Sequence, residues 1–130
     1  MIILTIRTDK PEAEVGLYED ATKTAYETWH AHRALAETLH QKITSLLTGN
    51  GKSLKDIDGI VCYKGPGSFT GLRIGLSIAN ALAYSLRRPI VGETGEQWIE
   101  TGCARLTKGE TETVAMPEYG ADVHITVPKH

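Results

Sequence analysis

The chain opens on a short run in which nearly every position is apolar. Ile2 to Ile6 reads as a strand, with a turn near Thr8 to Pro11. Ala13 to Tyr18 reads as a second strand, in which Val15 and Leu17 share one face because side chains alternate with period two. Glu19-Asp20 fits a turn. Thr22 to Thr28 mixes threonine with aromatics, as a third strand would. Three such segments in succession predict an antiparallel meander.

The period then changes. From about Ala31 to Leu47, Leu35, Leu39, Ile43 and Leu46 recur at spacings of four and three, which places one apolar stripe along a helix. Gly49-Asn50-Gly51 ends it, and Leu54 to Ile57 fits a short turn or helix. Ile60 to Tyr63, bounded by Gly59 and Lys64, reads as a buried strand. A glycine-rich loop follows, where Ser68 or Thr70 can cap the next helix by accepting a first-turn N–H. That helix runs from about Gly71 to Leu86. Arg87 and Arg88 suit its negative end, and Pro89 stops it. Ile90-Val91-Gly92 supplies another strand, so strand, helix and strand make a parallel crossover. A short helix over Glu96 to Gly102 and two tail strands, Thr111 to Met116 and Val123 to Val127, complete the reading. The fold class is α/β, a mixed sheet with an antiparallel meander and parallel strands flanked by helices.

The helix from Gly71 to Leu86 has an unusual girth of apolar residues. Arg73, Ser77, Asn80, Tyr84 and Arg87 form a narrow polar strip, while Leu72, Ile74, Leu76, Ile78, Ala79, Leu82, Ala83 and Leu86 occupy most of the rest. At about 100° per residue the apolar arc spans roughly 220°, about twice what packing on one sheet requires. Either the helix is sandwiched inside its own fold or part of the arc meets a partner. Gly71, Gly75, Ala79 and Ala83, four apart, would let another backbone approach closely.

Composition narrows the classes of function. The chain has 130 residues, enough for one core, and 41% of them are hydrophobic. With 14 Lys plus Arg against 16 Asp plus Glu, the net charge of −2 argues against a broad, unspecific nucleic-acid binder, although not against a local basic patch. Cys62 and Cys103 cannot build a disulfide framework and are expected as free thiols of a cytosolic protein. The N-terminus lacks the basic flank and cleavage site of a signal peptide. No stretch approaches the roughly 20 apolar residues of a membrane span.

Residues with catalytic potential are scattered. Gly65-Pro66-Gly67-Ser68 precedes a helix N-terminus, where free N–H groups can hold an anion. The spacing is neither a P-loop nor a dinucleotide fingerprint, so a tight turn with unusual angles at Gly65 or Gly67 stands beside an anion or partner contact. His30 and His32 do not share a helical face, and His30, His32, His40, His124 and His130 fall in no metal-binding pattern. Ser68 lacks a nucleophile-elbow context. Asp56 and Asp58 fit a solvated turn. Glu93 and Glu96 stand at the end of the last core strand, either solvated or facing a pocket. Trp29 and Trp98 fit helix or core packing, or an interface.

The run Tyr63-Lys64-Gly65-Pro66-Gly67-Ser68-Phe69-Thr70-Gly71-Leu72-Arg73-Ile74-Gly75 closely resembles the bacterial TsaB (YeaZ) family, with Lys64 where Arg is common. The resemblance extends over about residues 1–102. It implies a single actin-like ATPase (ribonuclease H-like) domain at 1–105, with 106–130 as a retained C-terminal tail packed on it. This would be a minimal form lacking most of the family's second domain. It also implies a non-catalytic, cytoplasmic protein that takes no cofactor or metal. Such a protein supports TsaD in forming threonylcarbamoyladenosine at position 37 of tRNAs, meets tRNA only through the complex, and helps TsaE to dock. Relatives alone often homodimerise. Because family contacts use the first two helices, the partner interface is expected at Leu35, Leu39, Phe69, Gly71, Ile74, Gly75, Ile78, Ala79 and Leu82. The loop motif comprises Gly65, Pro66, Gly67, Ser68, Thr70 and Arg73. Where the family commonly has Asp-Thr after its first strand, this chain has Arg7-Thr8. Arginine cannot hold a divalent cation there, and is expected to bond an acidic partner or an internal carboxylate. A small nucleotide-binding ATPase using the glycine-rich loop is the alternative. A protease ranks last, since no nucleophile and base are paired at recognisable spacing.

Overall fold

The computed structural model describes residues 1–31, 34–67 and 69–118, residue 69 by its backbone only. Strands β1 (Ile2–Arg7), β2 (Glu12–Glu19) and β3 (Thr22–His30) form the expected antiparallel meander. The sheet continues on the other side of β1 with β4 (Gly59–Tyr63) and β5 (Ile90–Glu93), each parallel to its neighbour. The order is β3-β2-β1-β4-β5. Helices α1 (Leu35–Thr48), α2 (Phe69–Leu86) and α3 (Trp98–Thr107) flank it. This is the mixed sheet of the actin-like, ribonuclease H-like fold.

Two faces of the sheet are covered differently. Gly102 of α3 sits against Val61, and Gly59 against Leu106, so α3 packs on the face of β4 to which Val61 points. By alternation Ile60 and Cys62 point to the opposite face, where α1 and α2 lie side by side. The central strands are therefore buried from both sides: Ile3, Leu4, Ile6, Ile60 and Val61 have no accessible surface. Among the described residues, no helix is long and apolar enough to cross a membrane.

Helices α1 and α3 and the segment after α3 depart most from expectation. Helix α1 starts at Leu35 rather than Ala31, because the meander runs on: Ala31 N–H still donates to the Pro11 carbonyl at 3.2 Å. Helix α3 runs to Thr107, past Gly102, whose missing side chain lets the helix lie close on Val61. Thr111 to Met116 is not a strand. The segment crosses the edge of β5 and is held there largely by side chains. Ile90 N–H donates to Thr111 Oγ1 at 3.1 Å and Gly92 N–H to Glu112 Oε2 at 3.0 Å. Glu112 N–H returns a bond to the Ile90 carbonyl at 2.8 Å, and Arg105 Nη1 reaches the Gly92 carbonyl at 3.3 Å. Farther along, the Asn80 amide pairs both ways with the backbone of Ala115, at 3.0 and 2.9 Å. The tail strand Val123 to Val127 lies outside the described residues.

Arg105 organises this return. It bonds Glu93 at 2.6 Å, Glu110 at 2.8 Å and Glu112 at 3.1 Å. The Glu93 and Glu110 hydrogen bonds push the guanidinium pKa up, outweighing burial. Glu93 is thus engaged within the fold, whereas Glu96 is exposed. Trp98 is buried and meets the Tyr63 ring edge-on, with centroids 5.7 Å apart. Trp29 is half-buried and donates to Thr38 Oγ1 at 3.1 Å.

Both cysteines are free and buried. Burial raises the pKa of Cys62, and burial with the charges of Glu100 and Asp20 pushes Cys103 up to about 11. The thiolate is the reactive form. At about pH 7.5 the native chain should therefore react slowly with a disulfide reagent, faster as pH climbs, whereas both thiols should react at once in denaturant. Rapid native labelling of either cysteine would contradict this packing.

Candidate functional site

The loop between β4 and α2 is built around close backbone approaches. Gly65 has φ +111°, a conformation that favours glycine, and a Cβ there would overlap the Glu118 carbonyl oxygen. Glu118 N–H in turn donates to the Lys64 carbonyl at 2.6 Å. Gly67 is required for space: a Cβ would strike the Asp9 side chain. Gly75, in the second turn of α2, leaves room for Thr8, whose hydroxyl donates to the Gly71 carbonyl at 2.7 Å. The loop and the first turns of α2 are thus shaped to receive the tip of the β1–β2 hairpin. Helix α2 begins at Phe69, so Thr70 lies inside its first turn, and Ser68 falls outside the described residues.

At that hairpin tip, Arg7 is neutralised by its own chain. Arg7 Nε bonds Asp9 Oδ1 at 2.7 Å and Nη2 bonds Oδ2 at 3.2 Å, while the guanidinium lies 3.9 Å from the Tyr63 ring centre. Burial works against the charge of Arg7, but the Asp9 bond and charge outweigh it and raise its pKa. Of the two expected partners for Arg7, the internal carboxylate is the one present. Sequence reasoning did not single out Asp9. The available signal was its position two residues after Arg7, within the turn that ends β1, where a short carboxylate can reach back to a neighbouring cation.

Helix α2 divides its apolar arc. Leu72, Leu76, Ala79 and Ala83 are buried against the sheet, each at 5% exposure or less. Ile74, Ile78, Leu82 and Leu86, at successive spacings of four, are only partly buried. Arg73, Ser77, Ala81 and Tyr84 are exposed, Tyr84 at 88%. This corrects the expected interface in part. Leu35, Leu39, Gly75 and Ala79 are inside the chain's own core, where α1, α2 and the hairpin close over them, so they present no surface to a partner. The row Gly71, Gly75, Ala79 and Ala83 faces inward: the close approach it permits at Gly75 is by Thr8 of the same chain. What stays open beside α1 is the edge formed by Ile74, Ile78 and Leu82, with Gly71 partly open at its start.

His30 ends β3, and His40 is exposed on α1. His32, His124 and His130 lie outside the described residues. Among the described residues, no three His, Cys, Asp or Glu groups are gathered to hold a metal ion.

Comparisons place these features in a family. Residues 29–104 match the family model described as TsaD, tRNA N6-adenosine threonylcarbamoyltransferase. The chain is 34% identical over 120 residues to the tRNA threonylcarbamoyladenosine biosynthesis protein TsaB of Escherichia coli, an alignment covering 88% of this chain and 49% of that protein. It is 44% identical over 62 residues to the tRNA N6-adenosine threonylcarbamoyltransferase of Geotalea uraniireducens, covering 48% of this chain and 18% of that one. The solved structure of YeaZ from Pseudomonas aeruginosa superimposes with a TM-score of 0.66 at 28% identity, over 72% of this chain and 43% of that chain. The chain spans about half the length, or less, of these relatives. With the loop from Tyr63 to Gly75 seated on this sheet, the chain belongs to the family of that model and, within it, to the TsaB (YeaZ) proteins.

Proposed function

We propose that this chain is a non-catalytic cytoplasmic subunit that binds a TsaD-type threonylcarbamoyltransferase and supports its modification of tRNA, meeting tRNA only through the complex. The observation that carries the reading is the half-open edge Ile74, Ile78 and Leu82 on α2, beside α1. Such a row suits helix-on-helix packing against a second protein. The glycine-rich loop supports it from the other direction. Its glycines accommodate Asp9 and Glu118 of the same chain, and Asp9 is neutralised by Arg7. A homodimer through the same edge in the absence of the transferase, and recruitment of a TsaE-type ATPase by the pair, are the finer parts of the proposal.

The test is titration calorimetry of the full chain with the TsaD-type subunit of its own source. Micromolar or tighter binding is expected. Ile74→Asp and Ala81→Arg should each weaken it at least tenfold, because both set a charge where apolar surface is to be desolvated. Ala81 is exposed and one turn from Ile78, so its replacement leaves the core intact. Wild-type affinity in both folded variants would remove α2 from any interface, and no complex at all would overturn the function.

A further inference from the structure

We propose that the partner face continues past α2 into a basic-rimmed groove that receives an acidic segment of the partner subunit carrying an apolar anchor. The inference rests on the reading of the chain as a TsaD-binding subunit and extends it to a site outside the expected interface residues.

A cleft of about 420 Å³ lies where the C-terminal ends of α1 and α2 meet the turn before β4. Leu47, Leu54 and Leu86 give it an apolar floor, with Thr44 and Thr48 along one wall and Lys52 and Lys55 on the rim. Leu86 is the last member of the row Ile74, Ile78, Leu82 and Leu86, so the groove is continuous with the half-open edge of α2. A surface that is apolar over both stretches favours a single partner rather than two.

The charge on the rim identifies the occupant. Lys52 and Lys55 make no ion pair among the described residues. The acids of the same turn accept main-chain N–H groups and do not line the cleft. Asp56 Oδ2 accepts Ser53 N–H at 2.8 Å, and Asp58 Oδ2 accepts Ile2 N–H at 2.8 Å. The chain as a whole carries a net charge of −2, yet the two charged residues that line the cleft are both lysines, beside an apolar floor that Leu54 and Leu86 leave partly open. A partner segment with carboxylates flanking one large apolar side chain satisfies both features at once. The side chain covers the leucines, and the carboxylates meet the lysines.

Calorimetry of the full chain with the TsaD-type subunit, at about 50 mM and about 500 mM salt, tests this, because screening weakens exposed charge pairs selectively. The double variant Lys52→Glu/Lys55→Glu is expected to lose about tenfold in affinity at low salt, and most of that difference should vanish at high salt. Lys55 is exposed and Lys52 only partly buried, so the fold should be unaffected; an unchanged melting temperature checks this. Equal affinity of the double variant and wild type at low salt overturns the groove while leaving the partner reading standing. Wild-type failure to bind overturns the partner reading, and the groove with it. Unchanged partner affinity with loss of self-association would assign the groove to a second copy of the chain, and so overturns the proposal.

Discussion

Placing arginine at Ala79 is expected to abolish folding rather than to dissociate a complex. Ala79 has no accessible surface and lies between Leu72, Leu76 and Ala83 on the side of α2 that meets the sheet. A guanidinium there must be desolvated with no carboxylate built to receive it. The effective penalty is several kcal/mol for the charge, with about 1–3 kcal/mol more for overpacking. A domain of this kind has only about 5–15 kcal/mol in total. The variant should therefore be insoluble, or soluble without the near-ultraviolet circular dichroism of packed Tyr and Trp. A folded Ala79→Arg chain with native melting behaviour would show that α2 does not turn Ala79 toward the sheet. The contrast with Ala81→Arg is informative in itself: the two residues differ by two positions, yet one faces the sheet and the other water.

The second large effect is expected at Gly65. Alanine there must adopt φ near +111°, which costs about 1–3 kcal/mol for a residue with a side chain. The new methyl group also overlaps the Glu118 carbonyl, so the main chain at Glu118 has to retreat and the bond from its N–H to Lys64 is lost. The sum is about 3 kcal/mol or more, a drop in Tm of roughly 10 °C for a chain of this size. Limited proteolysis should cut the released stretch after Ala115 while the sheet stays protected. A Gly65→Ala chain melting within about 2 °C of wild type would mean that Glu118 does not rest on the loop.

Much of this architecture was legible from periodicity. Alternation in β1 and β2, and the spacing of Leu35, Leu39, Ile43 and Leu46, report burial directly, since a half-covered strand or helix must repeat its apolar residues at its own period. The width of the apolar arc on α2 was also legible, but not how it is shared. The sequence shows that Ile74 and Ala79 are both apolar; only the packing shows that one is left half-open while the other is sealed inside the core. Gly102 misled for a related reason. Glycine commonly ends a helix, yet here it is needed mid-helix because Val61 leaves no space for a side chain. The Arg105 cluster joins residues 93, 110 and 112 through contacts that no local pattern encodes. Thr111 to Met116 has strand-like composition, but its first two residues satisfy β5 with two side-chain oxygens and a single main-chain bond rather than a ladder.

That last substitution has a consequence for how the molecule can assemble. The outward-facing amides and carbonyls of Ile90 and Gly92 are all occupied, by Thr111, Glu112 and Arg105. An extended strand from another molecule arriving at this border finds no vacant donor or acceptor at either residue. The chain is in effect hemmed on that side, and sheet-to-sheet annealing there is disfavoured without a fourth helix or a proline to prevent it. Association must then be sought through helices, or at the opposite selvage along β3.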